Sequence, residues 1–286
     1  MGIAYLITAY KYPEQLGRLV RRIEREVPGA PIFVHIDAKV EQSPFAAACH
    51  GTGAQFTTRR QVVRWGAFSM VRATLTLGEE ALGSDATHVV LLSEQCYPIR
   101  PLSDLEAHMR NSPGLDFIAA RQVRTEWPAA AGRFERFYFP DCPPRLARLC
   151  MATRRALARV GPVRRVPLGY DVYAGSTWWA LSREGLEYVL ATHRDNRRLR
   201  RFFALTSVPE EMYVHTILSN SPRRGAIRPT ITYARFDSRV STEHPRAWRI
   251  DDVAELEESG AYISRKFDAS VDSAVLDYFD SMTPPA

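Results

Sequence analysis

Apolar residues recur along this chain in two rhythms. Unbroken runs at Ile3-Ala4-Tyr5-Leu6-Ile7-Thr8-Ala9, Pro31-Ile32-Phe33-Val34-His35-Ile36-Asp37 and His88-Val89-Val90-Leu91-Leu92 have the length and β-branched content of strands buried on both faces. Between the first two, Leu16, Leu19, Val20 and Ile23 fall on one helical face, with Arg18, Arg21, Arg22 and Glu24 polar around them. Pro13 opens this helix and Pro28-Gly29 stops it; residues 66–82 predict another. Strands alternating with helices imply an α/β fold with a mostly parallel sheet and right-handed crossovers. Ligands of such sheets sit at the carboxyl ends of the strands, which puts Asp37 and the loop Ser93-Glu94-Gln95-Cys96-Tyr97-Pro98 on one expected rim.

The pattern loosens between about 121 and 170, where Arg, Pro and aromatics surround a single basic helix expected near 143–159. Order returns with a strand over Gly175-Ser176-Thr177-Trp178-Trp179-Ala180-Leu181 and a helix from Arg183. Ser207-Val208-Pro209-Glu210-Glu211 reads as a helix start, with Ser207 and Glu210 at capping-box spacing. A strand near 227–233 and helices near 250–258 and 271–281 complete the reading. With no repeat, low-complexity tract or linker, a single domain over 1–286 is expected.

Composition narrows the class. Hydrophobic residues make up 45% and charged residues 24% of the 286, enough for an ordinary soluble globular core and too apolar for disorder. Thirty-eight Lys and Arg against 32 Asp and Glu leave +6, a mild pull toward phosphate-bearing or anionic partners. The four cysteines lack CxxC spacing and are expected as reduced thiols of a cytoplasmic protein. No run is long enough to span a bilayer, and the start carries no signal-peptide pattern.

The candidate chemistry is sparse. In the helix reading, Glu211 sits in a first turn where no capping role claims it; it is either an ionised base on a rigid element or a solvated surface acid. Arginines cluster at Arg145, Arg148, Arg154, Arg155, Arg159, Arg164 and Arg165, either as a solvated helix face or as a contact for an anionic membrane surface. Arg246 and the pair Arg265-Lys266 stand among Trp248, Ile263 and Phe267. P-loop, GxGxxG, HExxH and GxSxG motifs are absent, and so is the Asp-x-Asp with which nucleotide-sugar enzymes hold a divalent ion. His35 and Asp37 do not by themselves make a metal site, and no nucleic-acid recognition motif accompanies the arginines.

Seven segments in order resemble the core-2/I-branching β-1,6-N-acetylglucosaminyltransferases and the related peptide O-xylosyltransferases. They are Ala4-Tyr5-Leu6-Ile7-Thr8-Ala9-Tyr10, Val34-His35-Ile36-Asp37-Ala38-Lys39, Val63 to Ala73, Leu91-Leu92-Ser93 leading into Tyr97-Pro98-Ile99, Gly175 to Leu181, Val208-Pro209-Glu210-Glu211 and Ser264-Arg265-Lys266-Phe267-Asp268. The resemblance implies a GT-A-like fold, residues 1–120 forming the nucleotide-binding half and 121–286 the acceptor and catalytic half. It implies inverting transfer from a UDP-sugar, with N-acetylglucosamine the first expectation and xylose the alternative, to a glycan or lipid-linked hydroxyl. No divalent metal or other cofactor is expected, UDP-sugar being a co-substrate. Carried over by position, Glu211 is the base, Lys266 and Arg246 hold the diphosphate, and Asp37, at the rim with Ala9, recognises uracil. Arg133 lies near the acceptor, and Trp178 and Trp179 line the sugar unless they are a core pair.

The match has departures. Cys96 stands where the family usually has Asp, Ala119-Ala120 where acetylglucosaminyl-transferring members carry an acid, and Asp237-Ser238 where the family has Asp-Trp. These substitutions bear on which sugar is transferred, and they leave open a relative that binds without catalysing. The membrane anchor of eukaryotic members is missing, which suggests a bacterial-type cytoplasmic enzyme, peripheral to the membrane at most.

Overall fold

A computed structural model of the chain describes residues 2–236 and 245–282. Its strands in chain order are β1 (Ile3–Ala9), β2 (Ile32–Ile36), β3 (Gln55–Phe56), β4 (His88–Ser93), β5 (Cys96–Pro98), β6 (Asp116–Phe117), β7 (Arg121–Gln122), β8 (Tyr173–Ala174), β9 (Ala180–Ser182), β10 (Ile227–Arg228), β11 (Thr232–Ala234) and β12 (Ile263–Arg265). The main sheet runs β10-β6-β9-β4-β1-β2-β3. β1 lies parallel between β2 and β4, while β9 runs antiparallel to both β4 and β6. This is the expected mixed, mostly parallel sheet, and every residue of β1, β2 and β4 is buried, as their unbroken apolar runs require.

The helix Pro13–Glu26 buries Leu16, Leu19, Val20 and Ile23, the face read from the sequence. The helix Phe68–Ala81 covers β1 and β2. A second sheet, β11-β12-β5, positions the site. β12 pairs parallel with β11 and antiparallel with β5, so Arg265 faces Cys96 just beyond the end of β4. The segment 93–98, expected as loop, thus contains a short strand, because a distant segment supplies it with a partner.

Three other expectations change. Gly175–Leu181 is not one strand: the chain pairs with β7 over Tyr173–Ala174, in a separate two-stranded sheet, and joins the main sheet only at Ala180–Ser182. Gly175 makes the exit, since a Cβ there would lie 1.7 Å from the Ala119 carbonyl oxygen. The expected start at Ser207 is a 3₁₀ turn, Pro209–Glu211, preceded by Val208 at φ 51° and followed by the helix Tyr213–Ser219. Ser207 caps nothing there, and its amide donates to the Arg133 carbonyl. Two of the cysteines, Cys142 and Cys150, are joined in a disulfide, whereas Cys49 and Cys96 are buried thiols. Spacing could not reveal the pair, because a bend between residues 142 and 150 brings their Cα atoms to 6.7 Å. The departure at Asp237-Ser238 lies outside the described residues.

Candidate active site

The turn that carries Glu211 is clamped from two sides. Ser207 N–H donates to the Arg133 carbonyl at 2.9 Å and Val208 N–H to the Gly66 carbonyl at 3.0 Å. Gly66 itself sits at φ 67°, where a side chain would be strained. The Glu211 carbonyl accepts from Gly175 N–H at 2.9 Å, tying the turn to the segment that leaves β8. Its carboxylate is partly exposed and accepts from Arg133 Nη1 at 2.7 Å. Arg133 lies in turn over the Trp127 ring at 4.9 Å, which holds the guanidinium plane in place.

Glu210, the neighbouring acid, points the other way. Its Oε2 is buried without a partner, and burial, with the charge of Glu211 adding to it, pushes its carboxyl up to about 8. The motif therefore separates two carboxylates by environment, a neutral one inside and an accessible one at the surface.

A cationic group lies beyond Trp178. Arg265 stands over the Trp178 ring at 4.5 Å, and its Nε has no hydrogen-bond partner. Burial first, then the charges of Lys11 and Arg265, hold the Lys266 ammonium below its ordinary value; Asp268 and Glu94 oppose them. A bound anion would relieve that repulsion. Glu94 is buried at the end of β4, accepts from the amides of Tyr10 and Lys11, each at 3.3 Å, and is pushed up to about 7 mainly by burial. Lys11 and Glu94 are not singled out as site residues in the sequence, though the rim rule could have found both; Arg265 stands there with Lys266 as a candidate cation, and its place over Trp178 comes from the structure.

Arg246 is placed near Lys266 through the backbone, because Trp248 N–H donates to the Lys266 carbonyl at 2.9 Å. Its guanidinium already holds Asp252 through both carboxylate oxygens, at 3.0 and 2.9 Å, and Arg235 shares that acid. Asp37 is buried at the end of β2, with Oδ1 accepting from Lys39 N–H and Val63 N–H and Oδ2 3.2 Å from the Lys39 ammonium. Ala9 ends β1 and accepts the Asp37 amide at 2.9 Å. Both tandem tryptophans are buried in the core, Trp178 at 8% exposed with Arg265 over its ring and Trp179 at 2%. His35 accepts the Gln61 amide at 2.8 Å through Nε2, so it is not free to join Asp37 on a metal. Among the described residues no three His, Cys, Asp or Glu side chains come together as a metal site.

The Glu211 carbonyl is held by Gly175, three residues before Trp178, and Arg265, over the Trp178 ring, precedes Lys266 in the chain.

Comparison with known proteins identifies the class. The Core-2/I-Branching enzyme family model matches residues 3–258, and the chain belongs to that family of glycosyltransferases. Among curated relatives, xylosyltransferase 2 of Rattus norvegicus is 24% identical over 301 aligned residues, covering 97% of this chain and 33% of that protein. Xylosyltransferase oxt of Drosophila melanogaster is 25% identical and covers 77% of this chain and 24% of its own length. The chain therefore spans about a third or less of the relatives it matches. Among solved structures, the galactosyltransferase LgtC with donor and acceptor sugar analogs aligns with a TM-score of 0.45 at 10% identity, covering 99% of this chain and 97% of that one. That is a loose likeness of outline. Among the described residues no helix is long and apolar enough to cross a membrane.

Proposed function

We propose that the chain is an inverting glycosyltransferase that moves a sugar from a UDP-sugar to a hydroxyl of a glycan or glycolipid without a metal ion. In this reading the acceptor oxygen attacks C1, Glu211 takes its proton, the bond from C1 to the diphosphate breaks, and the electron pair leaves on UDP. The charge developing on that oxygen needs fixed positive groups, and Lys266 with Arg246 supplies them where other enzymes place a cation. Arg246 would serve while sharing Asp252. The observations that carry the reading are the pairing of an accessible Glu211 with Arg133 and the repelled cation Lys266.

For the sugar, the names of the curated relatives and the lack of an acid at Ala119-Ala120 support UDP-xylose ahead of UDP-N-acetylglucosamine. The test is Glu211→Gln with a panel of UDP-sugars in EDTA. Transfer by the unaltered protein should persist in the chelator and collapse in the variant, with UDP affinity by calorimetry unchanged. Full turnover by the variant would remove Glu211 from this role; UDP binding with no transfer from any donor would favour a relative that binds without catalysing.

A further inference from the structure

One long helix of this chain packs on almost nothing. In the helix Ala147–Val160 only Cys150 and Leu157 are partly covered, and the other residues are exposed, Leu149 at 63% and Val160 at 87%. At 100° per residue Leu149, Ala156 and Val160 align in an apolar stripe, and Arg148, Arg155 and Arg159 align beside it. Exposed Val163 and Leu168 extend the apolar surface past the helix end. From residue 142 to 170 the sequence contains no Asp or Glu, and Arg145, Arg148, Arg154, Arg155, Arg159 and Arg165 are all exposed. Helical stability usually comes from packing an amphipathic face, so both the exposure and the charge need an explanation.

The segment is nonetheless anchored. The Cys142–Cys150 disulfide ties the helix's first turn to the chain before it. Asp141 accepts from Ser69 N–H at 3.0 Å and from Arg72 at 3.1 Å. On the far side, the buried Arg164 donates to the carbonyls of Arg136 at 3.0 Å and Leu205 at 2.6 Å. Arg164 is thus used inside the protein, whereas among the described residues the six exposed arginines have no ion pair or hydrogen bond, and only Arg154 meets the chain, over the Tyr138 ring at 5.5 Å.

We infer that the helix Ala147–Val160 is a docking face for an anionic lipid surface. The apolar stripe would enter the boundary between headgroups and acyl chains, and the adjoining arginines would meet lipid phosphates. Charge complementarity selects this occupant. A neutral bilayer would leave the arginines without counter-charge, and a second copy of this helix would set arginine against arginine. The inference goes beyond the transfer reaction and does not depend on it.

The test is co-sedimentation of the whole protein with vesicles of phosphatidylcholine alone and of phosphatidylcholine mixed with phosphatidylglycerol. Binding is expected to the mixed vesicles only, and to weaken as salt screens the contact. Arg148→Ala, Arg155→Ala and Arg159→Ala together should lower the partition coefficient on the order of a hundredfold, each arginine near a charged surface contributing about 1 kcal/mol. Leu149→Ser with Val160→Ser should also weaken it. Transfer to a soluble acceptor should be unchanged in both variants, which separates this inference from the assignment of the reaction. Equal binding to neutral vesicles, no binding to anionic ones, or triple-variant binding equal to the parent would overturn it. So would protein that fails to bind vesicles but doubles its mass with concentration in light scattering, which would make the face a contact between copies.

Discussion

Arg133 Nη1 donates to Glu211 Oε2 at 2.7 Å, across 78 residues of sequence. The guanidinium is fixed by the Trp127 ring, so it can orient the carboxylate as well as neutralise it. Replacing Arg133 with Ala should lower kcat about tenfold to a hundredfold, the usual cost of a displaced catalytic group. Lys at this position keeps the charge but loses the planar fork, and should restore only part of the rate. Steady-state kinetics with saturating donor check this, and an unchanged kcat would show that Arg133 does not position the acid.

Lys266 should act on the donor rather than the acceptor. Its ammonium already sits among Lys11 and Arg265, so a diphosphate there gains charge-assisted hydrogen bonds and relieves repulsion. Lys266→Ala should weaken UDP binding roughly ten to a hundredfold, about the worth of one hydrogen bond to a charged group. Titration calorimetry reads this directly, with the acceptor KM as the control that should not move.

Gly175 is required for space. A methyl group would meet the Ala119 carbonyl, and the same residue's amide holds the Glu211 carbonyl. Gly175→Ala should therefore cost about 1–3 kcal/mol through overpacking and also lower kcat by displacing the turn. Urea unfolding monitored alongside activity separates the two effects.

Two acids set opposite pH trends. Burial raises Glu210 to about 8, so between the ordinary glutamate range and about 8 the folded chain holds a proton that the unfolded chain has released. Stability from this group is present at low pH and is lost as pH rises through that window. Glu210→Gln should flatten the loss. Asp280 is the reverse case: burial works against its charge, but hydrogen bonds from Tyr97, Arg18 and Arg22 hold it below its ordinary value. That contribution exists above the ordinary aspartate range and disappears as pH falls below it. Asp280→Asn should lower the unfolding free energy from urea melts at neutral pH by about 2 kcal/mol and hardly at all in acid. Thermal or urea melts across the pH range check both signs.

Much of the α/β frame could be read locally. The unbroken runs at Ile3–Ala9 and His88–Ser93 fit strands buried on both faces, and a period of 3.6 residues decides which face of Pro13–Glu26 is buried. The place of Asp37 at the end of β2 followed from the rim rule, while its expected role came from the resemblance. Glu211 was identifiable by resemblance, though the helix drawn around it was not, since the Pro209 turn is held by Gly66 and Arg133 from elsewhere in the chain.

The sequence by itself determined the central strands β1, β2 and β4, the major helices and the residue types available for acid–base and anion chemistry. Only the tertiary structure decided their company: β12 beside β5, Arg265 over Trp178, Arg133 on Glu211, Trp179 inside and Cys142 bonded to Cys150. Periodicity records how each segment meets a generic core. Which distant segment it meets is settled by packing and hydrogen bonding across the whole chain, and those leave no regular trace in the order of residues.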